Sequence, residues 1–212
     1  MLRYLTSGES HGKCLMAILE GAPSGLVIDE SFINAELARR QGGYGRGDRQ
    51  KIEKDAVDIT SGVLKGITSG APIGLIVKNK DYCIDTMPEL VCPRPGHADL
   101  AGSLKYDTSI RAVLERASAR STAVHVAVGA IAKLLLREYG IKVASHVVQV
   151  GSAVVTGEKI TFADIEQAKE RSLLNCVVPA VEDKMKAQID DAHKNGDTLG
   201  GIVEIRVKGL PA

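Results

Sequence analysis

Strands gathered in runs, and helices gathered in other runs, predict an α+β fold rather than a parallel sheet built from alternating βαβ units. Three observations carry this reading. Short apolar runs bounded by glycine and proline occupy the stretches 2–19 and 56–79. Helical periodicity dominates 29–40, 110–139 and 161–194. Two further strand-like runs, 142–150 and 202–207, enclose the last helical stretch.

Taken in order, Leu2 to Leu5 reads as a strand that enters the glycine-bounded loop Gly8-Glu9-Ser10-His11-Gly12. Cys14 to Leu19 is a second strand, closed by the turn residues Gly21 to Gly25. Asp29 stands as an N-cap before Phe32, Ile33 and Leu37, which share one helical face. That helix ends at Arg39-Arg40 and meets the glycine-rich segment 41–49. Val57, Ile59, Val63 and the run Ile73 to Val77, separated by glycines, predict an antiparallel meander. Asp81 to Pro95, with three prolines, is expected to be irregular. Ile110 to Tyr139 is expected to form one long helix ending at Gly140 as C′, with its small apolar second half buried between layers. Lys142 to Val150 and Ile202 to Val207 are strands, with amphipathic helices near Thr161 to Leu174 and Val181 to Lys194 between them.

Composition excludes several classes. The 212 residues are 44% hydrophobic and 25% charged, a globular balance. Lys+Arg 27 against Asp+Glu 26 leaves no charge excess to draw the whole chain to nucleic acid or a membrane surface. Aromatics at 3% leave few rings for stacking on single-stranded nucleic acid. Cys14, Cys83, Cys92 and Cys176 lack metal-ligand spacing, and no histidine cluster has it, so no metal is expected. Reduced thiols, no signal-like start and no apolar run of bilayer length make a cytoplasmic chain the default expectation.

Four segments could carry chemistry. His11 sits between tight glycines, where an imidazole can exchange protons at cellular pH; a backbone-capping turn is the plain alternative. Arg39, Arg40, Arg46, Arg49 and Lys51 stand against Asp48 alone in a loop whose glycines let backbone N–H groups approach an anion, although such a run can equally be a solvated face. Arg94-Pro95-Gly96-His97-Ala98-Asp99 joins a cation, a kink, an imidazole and a helix N-cap candidate in Asp99; it reads as a phosphate-handling loop or as a structural turn. Glu115-Arg116-Ala117-Ser118-Ala119-Arg120 is the fourth: Arg116 and Arg120, four apart, are expected on one helical face with Ser118 nearby, or the segment is a plain polar opening to a helix. His125 is expected in the core, His146 within a strand, and His193 near a helix end where it suits the dipole.

In their order and spacing, GESHG, RRQGGYGRGDRQKIEKD, SGVLKGITSGAPIGLIVKN, RPGHADL and IRAVLERASARSTAVHVAVGAIAK closely resemble the chorismate synthase family, over Arg3 to at least Leu210. The resemblance implies one domain over 1–212, with antiparallel sheets packed on a central helical layer. It implies a lyase that eliminates phosphate from 5-enolpyruvylshikimate 3-phosphate to give chorismate in aromatic biosynthesis. It also implies reduced FMN, with NADPH as a reductant for the flavin, and a homotetramer. Residue by residue, His11 would be the acid at the departing phosphate, and His97 would lie near the reduced flavin. Arg40 and Arg46 would line the substrate or nicotinamide region, Arg49 and Arg94 would extend the cationic pocket, and Arg116-Ala117-Ser118 would contact FMN. Ser121 departs from the glutamate usual at its position. Family chains continue well past Ala212, so the resemblance implies an N-terminal portion, with low activity by itself. The competing expectation is a fragment that retains only an anion site; a nucleic-acid module using the basic loop is disfavoured by charge and aromatic content.

Overall fold

The computed structural model describes residues 1–47, 52–157 and 159–211. Its fold is α+β with antiparallel sheets. The backbone divides into two compact units, one of Met1–Arg40 with Arg49–Leu135, the other of Gln41–Asp48 with Leu136–Ala212.

In the first unit, β1 (Arg3–Ser7), β2 (Cys14–Glu20), β3 (Val57–Ser61) and β6 (Ile73–Lys78) form an antiparallel sheet in the order β1-β2-β6-β3. A small hairpin, β4 (Val63–Leu64) and β5 (Ile67–Thr68), separates β3 from β6. Alternation decides which face is inward. Leu15, Ala17 and Leu19 pair across the ladder with Val77, Leu75 and Ile73, and all six are buried. Against that face lie α1 (Glu30–Gln41), through Ile33 and Leu37, and α4 (Thr122–Glu138), through Ala123, Val124, Ala127, Ala130 and Ile131. The small residues at spacings of three and four let α4 lie close to the sheet. Asp29 caps α1 as expected, its Oδ1 accepting the Phe32 N–H at 3.0 Å.

Glu36 on α1 joins the two helices: its Oε2 accepts from Arg39 at 2.8 Å and from Lys133 of α4 at 2.6 Å. Burial alone would raise its pKa, but these two cations hold it at about 2, against an ordinary 4.5. A depressed carboxylate stabilises the fold above its unfolded pKa, and that contribution is lost as pH falls through the folded value. Glu36→Gln should therefore cost about 1 kcal/mol at neutral pH, after allowance for solvent screening. The deficit should shrink as pH falls from 4.5 toward about 2, as urea titrations across that range would show. A deficit independent of pH would remove the ion pairs from the account.

The single helix expected over Ile110 to Tyr139 is two helices. The first, α3 (Ile110–Arg116), is followed by a 3₁₀ turn at Ala119–Ser121 and then by α4. Ser118 breaks the run: its backbone is extended (φ −66°, ψ 142°) and its hydroxyl accepts the Arg120 N–H. Arg116 and Arg120 consequently do not share a helical face; Arg116 is exposed and Arg120 is buried. By length and composition Ile110–Glu138 would pass for a membrane span, but the turn interrupts it and the apolar face of α4 packs on the sheet. Helix α2 (Asp99–Tyr106) packs beside α3, where a Cβ on Gly102 would come within 2.4 Å of Val113 Cγ1. Its N-cap is Ala98 rather than Asp99, because the Asp99 carboxylate is turned to Arg94.

In the second unit β8 (Ala153–Val154), β7 (Lys142–Val150) and β9 (Gly201–Lys208) form an antiparallel sheet in that order. Helices α5 (Phe162–Arg171) and α6 (Pro179–Lys194) contribute Ile165, Ala168 and Met185 to its two small cores. Thr161 and Asp164 form a reciprocal capping box at α5. Tyr44 donates its hydroxyl to Asp190 of α6 at 2.7 Å. His193 lies in the last turn of α6, as expected. His146 is fully buried in β7, 2.5 Å from Glu204. His125 overturns its expectation: it is exposed on α4, 3.4 Å from Thr6 Oγ1 and edge-on to the Tyr4 ring.

Candidate active site

The loop between β1 and β2 carries His11. Gly8 begins it at φ +110°, where a Cβ would lie 2.4 Å from the Cys14 carbonyl oxygen, so the chain can double back only without a side chain. Three elements then pin the loop. From the end of β6, Asn79 Nδ2 donates to the carbonyls of Glu9, Ser10 and Gly12, at 3.2, 3.1 and 2.7 Å. The Ser10 N–H donates to the Glu115 carbonyl of α3. The His11 carbonyl accepts from Cys83 and Ile84.

This leaves the imidazole little freedom. Its Nδ1 is 2.8 Å from Glu115 Oε2, the same oxygen that accepts the His11 backbone N–H at 2.9 Å. Nε2 faces Asp81 Oδ2 at 3.5 Å. The His11 side chain is 17% exposed, whereas that of Glu115 is 1% exposed. Arg111, one turn before Glu115, places Nη1 3.5 Å from its other oxygen.

Behind the loop lies a buried ionic network. Arg120 donates from Nε to Asn79 Oδ1 at 2.8 Å and from Nη1 to both Asp55 oxygens at 2.7 and 2.8 Å. Its Nη2 is 3.8 Å from Glu53, which accepts the backbone N–H groups of Lys80 and Asp81. Arg40, in the last turn of α1, reaches the same network. It donates to Thr122 Oγ1 at 2.9 Å, to the Ala119 carbonyl at 3.1 Å and to Asp55 at 3.4 Å. Its guanidinium thus ties α1 to the start of α4.

A second cluster holds the other loop histidine. Arg94 donates through its backbone N–H, Nε and Nη2 to Asp99, which is fully buried. Those bonds hold the Asp99 carboxyl well below the usual carboxylate range. His97 is exposed and its Nδ1 donates to the Pro95 carbonyl at 2.9 Å, which leaves Nε2 outward. Arg116 lies over the Tyr106 ring, 4.6 Å from its centroid. Ala117 is exposed and Ser118 half-buried.

The predicted residues therefore fall in several places. His11 and Arg40 belong to one bonded network, and Arg94 and His97 to one loop. Arg116 to Ser118 form the exposed bend between α3 and α4. Arg46 lies in the second unit, with Nε donating to the Gly42 carbonyl. Arg49 lies outside the described residues. Glu115, Asn79, Asp81 and Asp55 complete the surroundings of His11, and sequence reasoning assigned them no role. The visible signal was Glu115, the single carboxylate among the arginines, serines and small apolar residues of 110–121. Among the described residues no group of three or more His, Cys, Asp or Glu side chains is placed to hold a metal ion.

Comparison with known proteins bears on this arrangement. The family model for chorismate synthase matches residues 2–212. The chain is 50% identical to the chorismate synthase of Enterococcus faecalis over 227 aligned residues, and 52% identical to that of Carboxydothermus hydrogenoformans over 224. Each alignment covers 100% of this chain and 58% of the relative, so the chain spans little more than half the length of these relatives. A crystal structure of chorismate synthase superposes with a TM-score of 0.80 at 40% identity, covering 99% of this chain and 58% of that one. With the fold, the whole described sequence and a solved structure in agreement, the chain belongs to the chorismate synthase family.

Proposed function

We propose that this chain carries the proton-donating part of a chorismate synthase site and acts in the elimination of phosphate from 5-enolpyruvylshikimate 3-phosphate. The observation that supports this most is His11: a partly exposed imidazole on a loop fixed by Asn79, with its inner nitrogen on a buried carboxylate. A phosphate leaving carbon takes the bonding electron pair with it, so the departing oxygen gains charge. Donation of the Nε2 proton to that oxygen lowers the barrier, and groups that cannot reorganise do this most effectively. Arg46 and Arg49 stand in the basic, glycine-rich segment of the sequence whose charge suits a phosphorylated substrate. Arg40 and Arg94, bonded to their own chain, contribute through the field and through shape.

Reduced FMN fits the residues at the α3–α4 bend. Arg116 is exposed, has no ion pair among the described residues, and already lies against a flat ring, while Ser118 adds a hydroxyl and His97 an outward nitrogen. These are suitable partners for an anionic, planar cofactor. When bound, the reduced flavin supplies electron density to a reaction without net redox change. NADPH as its reductant, the homotetramer, a single family domain and a cytoplasmic location complete the reading.

The test is anaerobic turnover with supplied reduced FMN. The chain would be assayed alone and joined to the C-terminal portion of the Enterococcus faecalis relative. Equal yields of phosphate and chorismate are expected from the joined form, and His11→Ala should lower its kcat by about 10²- to 10⁴-fold. Turnover unchanged by that substitution would take the acid role from His11.

A further inference from the structure

Glu115 is an expensive residue where it stands. Its side chain is 1% exposed on α3, and burying a carboxylate is costly unless its oxygens are satisfied. Yet Oε1 has no hydrogen-bond partner among the described residues; Arg111 Nη1 lies 3.5 Å away, and its Nε donates to the Pro88 carbonyl. An apolar side chain would fill this helix position without that cost. The other oxygen shows what the carboxylate does: Oε2 takes two donors from one residue, the His11 backbone N–H and the ring Nδ1. Two bonds to one oxygen fix the ring torsion and, because a carboxylate only accepts, place a hydrogen on Nδ1.

We propose that Glu115 is the positioning residue of His11, holding the ring as its Nδ1–H tautomer so that Nε2 alone gains and loses the working proton. The competing orienter is Asp81. It faces Nε2 at 3.5 Å, beyond a good hydrogen bond, and its side chain is 35% exposed. Glu115 is closer, drier and doubly bonded. Together with Arg111 these are the charged groups that face the ring from α3 and from the segment after β6. When Nε2 yields its proton, the imidazole that remains is already the tautomer able to take a proton back at the same atom. This role deepens the reading of His11 as a proton donor and rests on it.

Long-range ¹H–¹⁵N spectra of the full 212-residue chain, taken where the histidines are neutral, read the tautomer directly. A His11→Asn variant identifies the signals among five histidines. Nδ1 of His11 is expected at the protonated, pyrrole-like end and Nε2 at the pyridine-like end. Glu115→Gln should keep this pattern, since one amide oxygen can accept both donors, whereas Glu115→Ala should lose it. Asp81→Asn should leave it in place. A wild-type spectrum with the proton on Nε2 would overturn the proposal, as would a tautomer that follows Asp81→Asn. The wild-type and Glu115→Gln measurements require no cavity in the core. They also require no substrate or flavin, so a joined protein that failed to turn over would refute the proposed function while the spectra still decided the role of Glu115.

Discussion

Asp55→Ala and Arg120→Met should each destabilise the chain by about 3–5 kcal/mol, while the double variant should cost far less than their sum. The Arg120 side chain is 5% exposed and that of Asp55 is not exposed at all. Their bidentate contact is made where water cannot replace either partner. Removing Asp55 leaves a buried guanidinium facing Glu53 at 3.8 Å, too far for a direct hydrogen bond. Removing Arg120 leaves the Asp55 carboxylate with Arg40 at 3.4 Å. In either case an ion is left in a poorly solvating site, and that penalty, rather than the attraction itself, makes the single variants severe. Removing both ions removes the penalty. Urea denaturation of the three variants gives the coupling, and strict additivity would show that the two ions do not act as a unit.

The strands and caps were legible because their signals are local. Alternation in Leu15 to Leu19 and Ile73 to Val77, the Asp29 cap, and Gly140 after the last helical turn each act within a few residues. The break at Ser118 was not legible, since an Ala- and Leu-rich run keeps its helical period through a short 3₁₀ turn. What favours the break is distant: Arg120 must turn inward to Asp55, 65 positions earlier. His125 was misplaced for a related reason. An apolar helix with one buried stripe still has an outer face, and periodicity alone does not say which residues line it.

The candidate site divides in the same way. His11, His97 and the arginines stood out because glycine, proline and charge mark loops that bind. Glu115 opened the fourth segment but carried no role, because a carboxylate near a helix start looks solvated until a histidine 104 positions away is seen against it. Arg40 shows the converse. In sequence it belongs to a basic loop aimed at an anion, whereas in the structure its three donor nitrogens go to Thr122, Ala119 and Asp55.

Asn79→Asp should release the His11 loop, although it changes only an amide to a carboxylate. The amide nitrogen donates to three carbonyls, those of Glu9, Ser10 and Gly12, and the amide oxygen accepts from Arg120. No other side chain of this shape both donates and accepts at these positions. The carboxylate would strengthen the bond to Arg120 while turning an anionic oxygen toward three carbonyl oxygens. The two effects oppose each other, and their magnitudes decide the outcome. A better partner for Arg120 gains about 1 kcal/mol; the Glu9 carbonyl keeps the Gly12 N–H, whereas the Ser10 and Gly12 carbonyls lose the amide donor at buried positions, at about 1–3 kcal/mol each. A net loss of about 3 kcal/mol is expected, concentrated in residues 8–12. Hydrogen exchange should therefore show the N–H groups of Ser10 and His11 opening far more readily than those of β2, and the His11 tautomer should become mixed as the ring leaves Glu115. Asn79→Ala removes donor and acceptor together without adding charge, and should release the same loop while also depriving the buried Arg120 Nε of its acceptor. Protection at Ser10 and His11 unchanged in both variants would show that the backbone bonds to Glu115, Cys83 and Ile84 hold the loop unaided.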